Sequence, residues 1–316
     1  MKNKLLIIGV TIDSAGIGGV SIHLERLFDH LRIKGYSFDF CDYKKESILK
    51  IVKQILQHKV IHIHPSNPFL RLFFVCVSKI FAKKVLFTVH GNLGRFSTIE
   101  NYIDRLAIQW SDIPIVINQN SYDKAIKWNN KVRLISAYIP PTSDGYIPNE
   151  VVDVIKKAQL ENKTIVSTNA SVRSYTNDGR EIYGIDFLID YFNSRDNYLL
   201  CVSDPSSQYL SFYQGKNLNN VLIISEKHSF YAVMKLSDVM VRATATDGDS
   251  LSIREGLDLK IRVLATDSVS RPEGVMLFKY GDVSSFEKVL QCPFTPFESS
   301  KENVVDELII LYNSLL

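Results

Sequence analysis

Two carboxylates with seven residues between them, Asp247 and Glu255 in Thr246-Asp-Gly-Asp-Ser-Leu-Ser-Ile-Arg-Glu-Gly, offer the clearest chemistry in this chain. Asp238–Ala243 before them reads as a buried strand, and Ser250–Leu257 as the helix that follows. In a doubly wound α/β domain, ligands collect at such junctions, outside the carboxyl ends of the strands. Gly248 lets the backbone approach a ligand closely, and Ser250 with Leu251 can offer main-chain N–H groups to a phosphate at the helix start. Glu255, further along the helix, can turn a carboxylate toward hydroxyl groups of the same ligand. A phosphate at the helix end and hydroxyls at the carboxylates suit a nucleotide-linked sugar.

Other constellations allow two readings each. The first strand runs into Asp13-Ser-Ala-Gly-Ile-Gly-Gly, where Gly16, Gly18 and Gly19 form a flexible loop before a long helical pattern. Such a loop can meet a diphosphate or an acceptor, or be an ordinary strand-to-helix turn; it is not the dinucleotide fingerprint, because position 21 is serine. Thr88-Val-His90 ends a strand and puts an imidazole at its carboxyl edge, able to bond a sugar hydroxyl or to be structural. His62 and His64 alternate with isoleucines and read as sheet residues rather than a metal pair. Asp247-Gly-Asp249 is a literal D-x-D, a pattern that can hold a divalent metal against a diphosphate, but that reading leaves Glu255 unexplained. Arg173 and Arg271 each follow a strand and could clamp a pyrophosphate or be surface charges. Lys227 and His228 could frame a nucleobase.

The elements that must position these groups alternate along all 316 residues. Strands are predicted at Leu5–Val10, Ser37–Cys41, Val60–His64, Val85–His90, Ile113–Asn118 and Val132–Ser136, then at Thr164–Asn169, Tyr198–Ser203, Val221–Ser225, Asp238–Ala243, Arg262–Thr266 and Val275–Phe278. Continuous apolar runs separated by helix-sized segments predict parallel sheets covered on both faces. The proline-rich stretch Tyr138–Asn149 reads as a linker. Two Rossmann-like domains are expected, residues 1–145 and 146–300, facing each other across a cleft, with 301–316 an amphipathic helix that could cross back to the first. Residues 1–145 hold 20 Lys/Arg against 11 Asp/Glu and the remainder 17 against 23, so the first half is suited to an anionic partner. The apolar segment Phe69–Lys84 with basic ends could lie on a membrane surface or be the crossover helix between two strands. Cys41, Cys76, Cys201 and Cys292 lack metal spacing and read as thiols in a reducing compartment. The short N-terminal apolar run reads as a strand rather than a signal peptide, and a cytoplasmic protein is expected.

Taken together, these stretches resemble glycosyltransferase family 4 over nearly the whole chain. Gly18-Gly19 stands at that family's glycine-rich loop, His90 at its T-x-H segment, and Ile135–Pro140 at its run into the linker. Tyr183-Gly-Ile-Asp-Phe-Leu-Ile resembles its K-G-x-x-x-L-I segment, and Asp247–Glu255 its E-x7-E motif. The chain departs from the pattern in carrying Asp247 for glutamate, Tyr183 for a basic residue, and Leu259-Lys-Ile-Arg-Val for C-G-K-P-V. No G-R precedes Tyr183, so Arg173 or Arg271 would have to replace the usual pyrophosphate clamp.

The resemblance implies the two-domain GT-B architecture, acceptor in the first domain and nucleotide sugar in the second. It implies a retaining transferase that moves a sugar from a nucleotide diphosphate to a glycan or lipid-linked acceptor, in bacterial surface polysaccharide synthesis. Glu255 would bond ribose or donor-sugar hydroxyls, Asp247 the donor sugar, and N–H groups near Ser250 and Leu251 the phosphates; His90 would sit by the sugar. No cofactor or metal is expected, and no nucleic acid; contact with an anionic membrane at its cytoplasmic face is. Two alternatives keep the fold: a non-catalytic sugar-nucleotide-binding or partner subunit, and a two-domain nucleotide-sugar epimerase.

Overall fold

The first apolar run becomes strand β1 (Leu5–Gly9), every residue of it buried, as befits a parallel strand covered on both faces. A computed structural model describes residues 5–15, 18–297 and 303–316. The chain divides into two compact units, Met1–Thr142 with Lys301–Leu316, and Ser143–Ser300.

In the first unit β1 is joined by β2 (Asp39–Asp42), β3 (Val60–Ile63), β4 (Lys84–Val89), β5 (Ile113–Val116) and β6 (Arg133–Leu134). All pair parallel, in the order β2-β1-β3-β4-β5-β6. The helices are α1 (Ile12–Ala15), α2 (Gly19–Ile33), α3 (Ile48–Gln57), α4 (Pro68–Ile80), α5 (Thr98–Trp110) and α6 (Gln119–Ala125). The glycine-bearing stretch after Asp13 leads into the start of α2. Residues 12–15 make a helical turn, Gly18 caps α2 and Gly19 is its first residue; Gly16 lies outside the described residues. The segment starting at Phe69 forms the crossover helix α4, begun by Pro68 and by Asn67, whose side chain accepts from Phe69 N and Leu70 N.

The second unit contains β7 (Thr164–Asn169), β8 (Tyr198–Ser203), β9 (Val221–Ile224), β10 (Val239–Arg242), β11 (Arg262–Thr266) and β12 (Met276–Phe278), again all parallel. Their order is β12-β11-β10-β7-β8-β9, the doubly wound order whose reversal falls between β7 and β10. The ladder between those two strands pairs only Val239 with Val166 and Met240 with Ser167. Asn169 and Arg242, the last residues of the two strands, therefore stand beyond it. Its helices are α7 (Asn149–Leu160), α8 (Ile185–Phe192), α9 (Gln208–Tyr213), α10 (Phe230–Lys235), α11 (Leu251–Asp258) and α12 (Val283–Gln291). The last helix, α13 (Val304–Leu315), packs in the first unit, where Val304, Val305, Leu308 and Tyr312 share a core with Leu24, Leu27 and Leu31 of α2.

One ion pair is enclosed in the core of the first unit. Arg71 on α4 donates from one nitrogen to both oxygens of Asp104 on α5, at 2.8 and 2.9 Å, and from Nε to Pro65 O at 2.8 Å. Both side chains are almost wholly buried, and burial pushes the Asp104 carboxyl up in spite of Arg71. The pair thus fixes how α4 meets α5 more than it adds net stability. We expect Asp104→Ala to cost about 3–5 kcal/mol in urea unfolding by stranding the guanidinium, and Arg71→Met with Asp104→Leu to recover most of it.

Candidate functional site

The site grows from the point where the second sheet splits. Gly184 before α8 has φ +64°, and a Cβ there would stand 2.2 Å from Ala243 O, so only glycine lets this segment approach the end of β10. Arg242 ends β10 and bridges the split. Its Nη1 donates to Asn169 O at 3.0 Å and Oδ1 at 3.1 Å, and its guanidinium lies 5.1 Å from the Tyr183 ring centre. From the same group, Nε and Nη2 reach Asp247 Oδ2 and Oδ1 at 3.0 and 3.3 Å. Arg271 Nη1 donates to Asp247 Oδ2 at 2.9 Å, and its Nη2 to Thr244 Oγ1 at 2.9 Å. Gly248 N donates to Asp247 Oδ1 at 3.0 Å and Thr244 Oγ1 to its Oδ2 at 3.4 Å.

Two guanidinium groups thus enclose one carboxylate, leaving one excess positive charge in a largely buried cluster. Burial alone would raise the Asp247 carboxyl, but Arg242 and Arg271 hold it below the usual carboxylate range. The two arginines differ. Arg242 is raised above its ordinary value by Asp247 despite burial, whereas burial lowers Arg271 despite the same carboxylate.

Asp247 leads directly into α11. Ser250 is its cap residue and makes no side-chain bond to the helix backbone, its hydroxyl standing 3.0 Å from Ser252 Oγ. The start of α8 is different, because Glu181 accepts from Ile185 N at 3.0 Å and Asp186 N at 2.9 Å and so occupies that terminus. Asp249 pairs with Arg254 Nε at 3.2 Å, and the Arg254 side chain is 31% exposed against 2% for Arg271. Glu255 is buried on α11, one turn after Leu251. A Cβ on Gly248 or Gly19 would meet no protein atom within 4 Å, so packing does not require glycine at either position.

The other residues singled out from sequence are placed elsewhere. Arg173 is engaged by Asp186 Oδ2 at 2.7 Å and stacks 3.6 Å over the Phe212 ring. His228 donates from Nδ1 to Glu226 O at 2.6 Å, and its Nε2 meets Ser203 Oγ at 2.7 Å. Sequence reasoning missed Arg242, hidden in an apparently uniform strand, and Glu181. The signal for the former was an arginine ending an apolar run with an aspartate five residues later.

In the first unit His90 stands after β4 within a group of histidines. His64 Nδ1 lies 2.9 Å from His90 Nε2, and His23 Nδ1 donates to Ala137 O at 2.8 Å. His62 is saturated by Tyr312 OH and Thr88 Oγ1, each at 2.8 Å. Burial lowers His23 to about 4 and His62 to about 3, and takes His64 and His90 well below the ordinary value, so all four are neutral near pH 7.

No protein-family model matches the chain, and a search of curated proteins finds no significant match. The two all-parallel doubly wound sheets define the fold class as GT-B, and solved structures agree. HepE of Anabaena in complex with UDP superposes with a TM-score of 0.68 at 13% identity, over 92% of this chain and 89% of that one. The lipopolysaccharide outer core galactosyltransferase WaaB gives 0.62 at 10% identity over 99% of both chains. UDP-GlcNAc 2-epimerase from Methanocaldococcus jannaschii gives 0.60 at 11% identity, over 98% of this chain and 99% of that one.

Because Asp247 is held low, its pairing stabilises the fold fully above the ordinary carboxylate value of about 3.9, and that contribution disappears as pH falls through the lower folded-state value. We expect Asp247→Asn to be markedly less stable than the parent at pH 7. In thermal unfolding followed by circular dichroism, the gap should close as pH drops below about 3.9.

Proposed function

We propose that the protein is a retaining glycosyltransferase that moves a sugar from a nucleotide diphosphate donor to a glycan or lipid-linked acceptor in surface polysaccharide synthesis. The observation that carries this reading is the Arg242–Asp247–Arg271 cluster at the split of the second sheet, immediately before a helix whose cap residue, Ser250, makes no side-chain bond to its backbone. In the transfer, the bond from the anomeric carbon to the diphosphate breaks and the acceptor oxygen bonds to the same carbon, its proton leaving with the phosphate. Negative charge gathers on the departing diphosphate. N–H groups at Ser250 and Leu251, the dipole of α11 and the excess positive charge of the cluster oppose it.

This reading needs no metal at the diphosphate. The oxygens of Asp247 are committed to guanidinium groups and a backbone N–H, so a cation on Asp247-Gly-Asp249 would have to displace them. Among the arginines here, Arg254 has the surface left to meet an anion, and Arg271 acts through Asp247. Glu255 takes the ribose or sugar hydroxyls, and Gly248 leaves room for the ligand backbone. His90, neutral, serves the sugar or acceptor side. The fold likeness to HepE, whose structures hold UDP and UDP-glucose, makes a uridine nucleotide the first donor to try. A second reading, epimerisation of a nucleotide sugar, is favoured by the likeness to the 2-epimerase and is distinguished by isomerisation of the donor without any acceptor.

A lipid-linked acceptor calls for contact with a membrane, and the first unit offers a surface for it. No described helix is long and apolar enough to cross a membrane. On the adjacent helices α3 and α4, Leu49 is 84%, Phe69 54% and Ile80 77% exposed; Lys53 is exposed on α3, and Lys50 and Lys79 are exposed but paired with Glu46 and Asp112. Apolar side chains among lysines match the interface of an anionic bilayer.

Two measurements check these assignments. In a thermal-shift panel of UDP, GDP, dTDP and CMP with their sugars, we expect one nucleoside diphosphate to stabilise the protein with or without EDTA. Arg254→Ala should weaken that shift more than Arg173→Ala. A folded Glu255→Ala protein should lose transfer about tenfold or more, in keeping with a charge-assisted hydrogen bond worth about 1.5–3 kcal/mol. A shift abolished by EDTA would move the ligand to a metal at the D-x-D. In vesicle co-sedimentation, Leu49→Asp with Ile80→Asp should release the protein from anionic vesicles while leaving nucleotide binding intact; unchanged binding would remove the membrane assignment.

A further inference from the structure

The histidine group of the first unit exceeds what packing of the sheet requires. Three rings converge from separate elements: His23 from α2, His64 from the end of β3 and His90 from the end of β4. One ligand-capable nitrogen from each lies within 4.8 Å of the others. Their ring centres are 4.9, 5.2 and 5.6 Å apart. Three imidazoles on one tetrahedral ion, with metal–nitrogen bonds of about 2.0–2.1 Å, hold their ring centres about 5 Å apart. The triangle already has the dimensions of such a site.

We propose that His23, His64 and His90 form a trihistidine site for a divalent transition-metal ion of the zinc and cobalt class, with the fourth position left to water or a ligand. Two further observations point the same way. The bond from His23 Nδ1–H to Ala137 O fixes the tautomer whose Nε2 carries the lone pair, which is how a backbone carbonyl commonly orients a metal-bound imidazole. The contact between His64 Nδ1 and His90 Nε2 is a proton shared between two neutral imidazoles, a position an ion can take over with each ring keeping its one N–H. His62 is excluded, because Tyr312 and Thr88 use both of its nitrogens. His90 is the least enclosed of the three and gives the ion its way in.

This site lies outside the diphosphate chemistry proposed above but takes His90 from the sugar-side role given there, and it is tested without reference to activity. The full-length protein is stripped with a chelator, dialysed, and titrated with Co2+ and then Zn2+, reading visible absorption and stoichiometry by equilibrium dialysis. We expect a single ion per chain, with the absorption of tetrahedral cobalt, displaced by zinc. Binding should weaken at least about tenfold in each of His23→Gln, His64→Gln and His90→Gln and persist in Asp249→Asn. Should a histidine variant fail to fold, nitrogen NMR of the 15N-histidine-labelled parent decides: zinc should shift the imidazole signals of those three residues and not of His62. Absence of binding, binding indifferent to the three substitutions, or binding lost in Asp249→Asn would each overturn the proposal.

Discussion

The second unit depends on one charged contact, the grip of Arg242 on both Asn169 and Asp247. Strands β7 and β10 part after two paired positions, where the sheet reverses, and Asn169 and Arg242 stand beyond the paired ladder. Arg242 supplies the donor for Asn169 O from inside the sheet. A guanidinium buried at a strand end is tolerable only beside a carboxylate, and Asp247 is that carboxylate. The loop from Ala243 to Ser250 is therefore drawn back over the split, which sets where α11 begins. Arg271 fastens the same carboxylate from the segment after β11. Removing Asp247 leaves two guanidinium groups without their partner in a dry place, so the position of this carboxylate is enforced by the cost of the alternative.

The first unit carries neutral groups instead. On β3 and β4 and just beyond them, His62 bonds Tyr312 and Thr88, and His64 bonds His90, with no formal charge in either group. Tyr312 comes from α13, so the last helix of the chain completes a polar network laid down by β3 and β4. Neutral imidazoles keep lone pairs available at neutral pH, whereas the Arg242 cluster presents positive charge. One arrangement is matched to cations or hydroxyls, the other to anions.

The strands were legible in the sequence because parallel strands buried on both faces leave unbroken apolar runs. Thr164–Asn169, Tyr198–Ser203 and Arg262–Thr266 form strands with the bounds their residues imply. The junction at Asp247 was legible too, since an acidic, glycine-containing turn between strand and helix has few other uses. Partners were not. Arg173 and Arg271 look alike in sequence, yet one is pulled to Asp186 and Phe212 and the other to Asp247, a choice made by tertiary contacts with residues far along the chain. Glu181 was invisible because it caps a helix from three residues before the cap position, outside the usual local pattern. Gly18 and Gly19 stand at the start of a helix, as their place before a long helical pattern implies, while the turn at 12–15, with Ser14 Oγ bonded to Thr11 O, was not legible.

Tyr183 and Asp247, two positions where the chain differs from the pattern it resembles, are connected through the same cluster. The K-G pattern has a basic residue immediately before the glycine; this chain has Tyr183, whose ring lies beside the Arg242 guanidinium. A lysine at that position would add a like charge next to two arginines, whereas an aromatic face attracts the cation already there. In this chain the positive charge stands at the strand end. Asp247 fits that placement: with Arg242 at the end of β10 and the backbone N–H of Gly248 both within 3.0 Å of its oxygens, a short side chain suffices. A glutamate would carry its carboxylate one methylene further, away from the Gly248 N–H. On the proposed function, Asp247 serves the diphosphate through the arginines it arranges, which leaves Glu255 as the carboxylate that meets the sugar nucleotide directly.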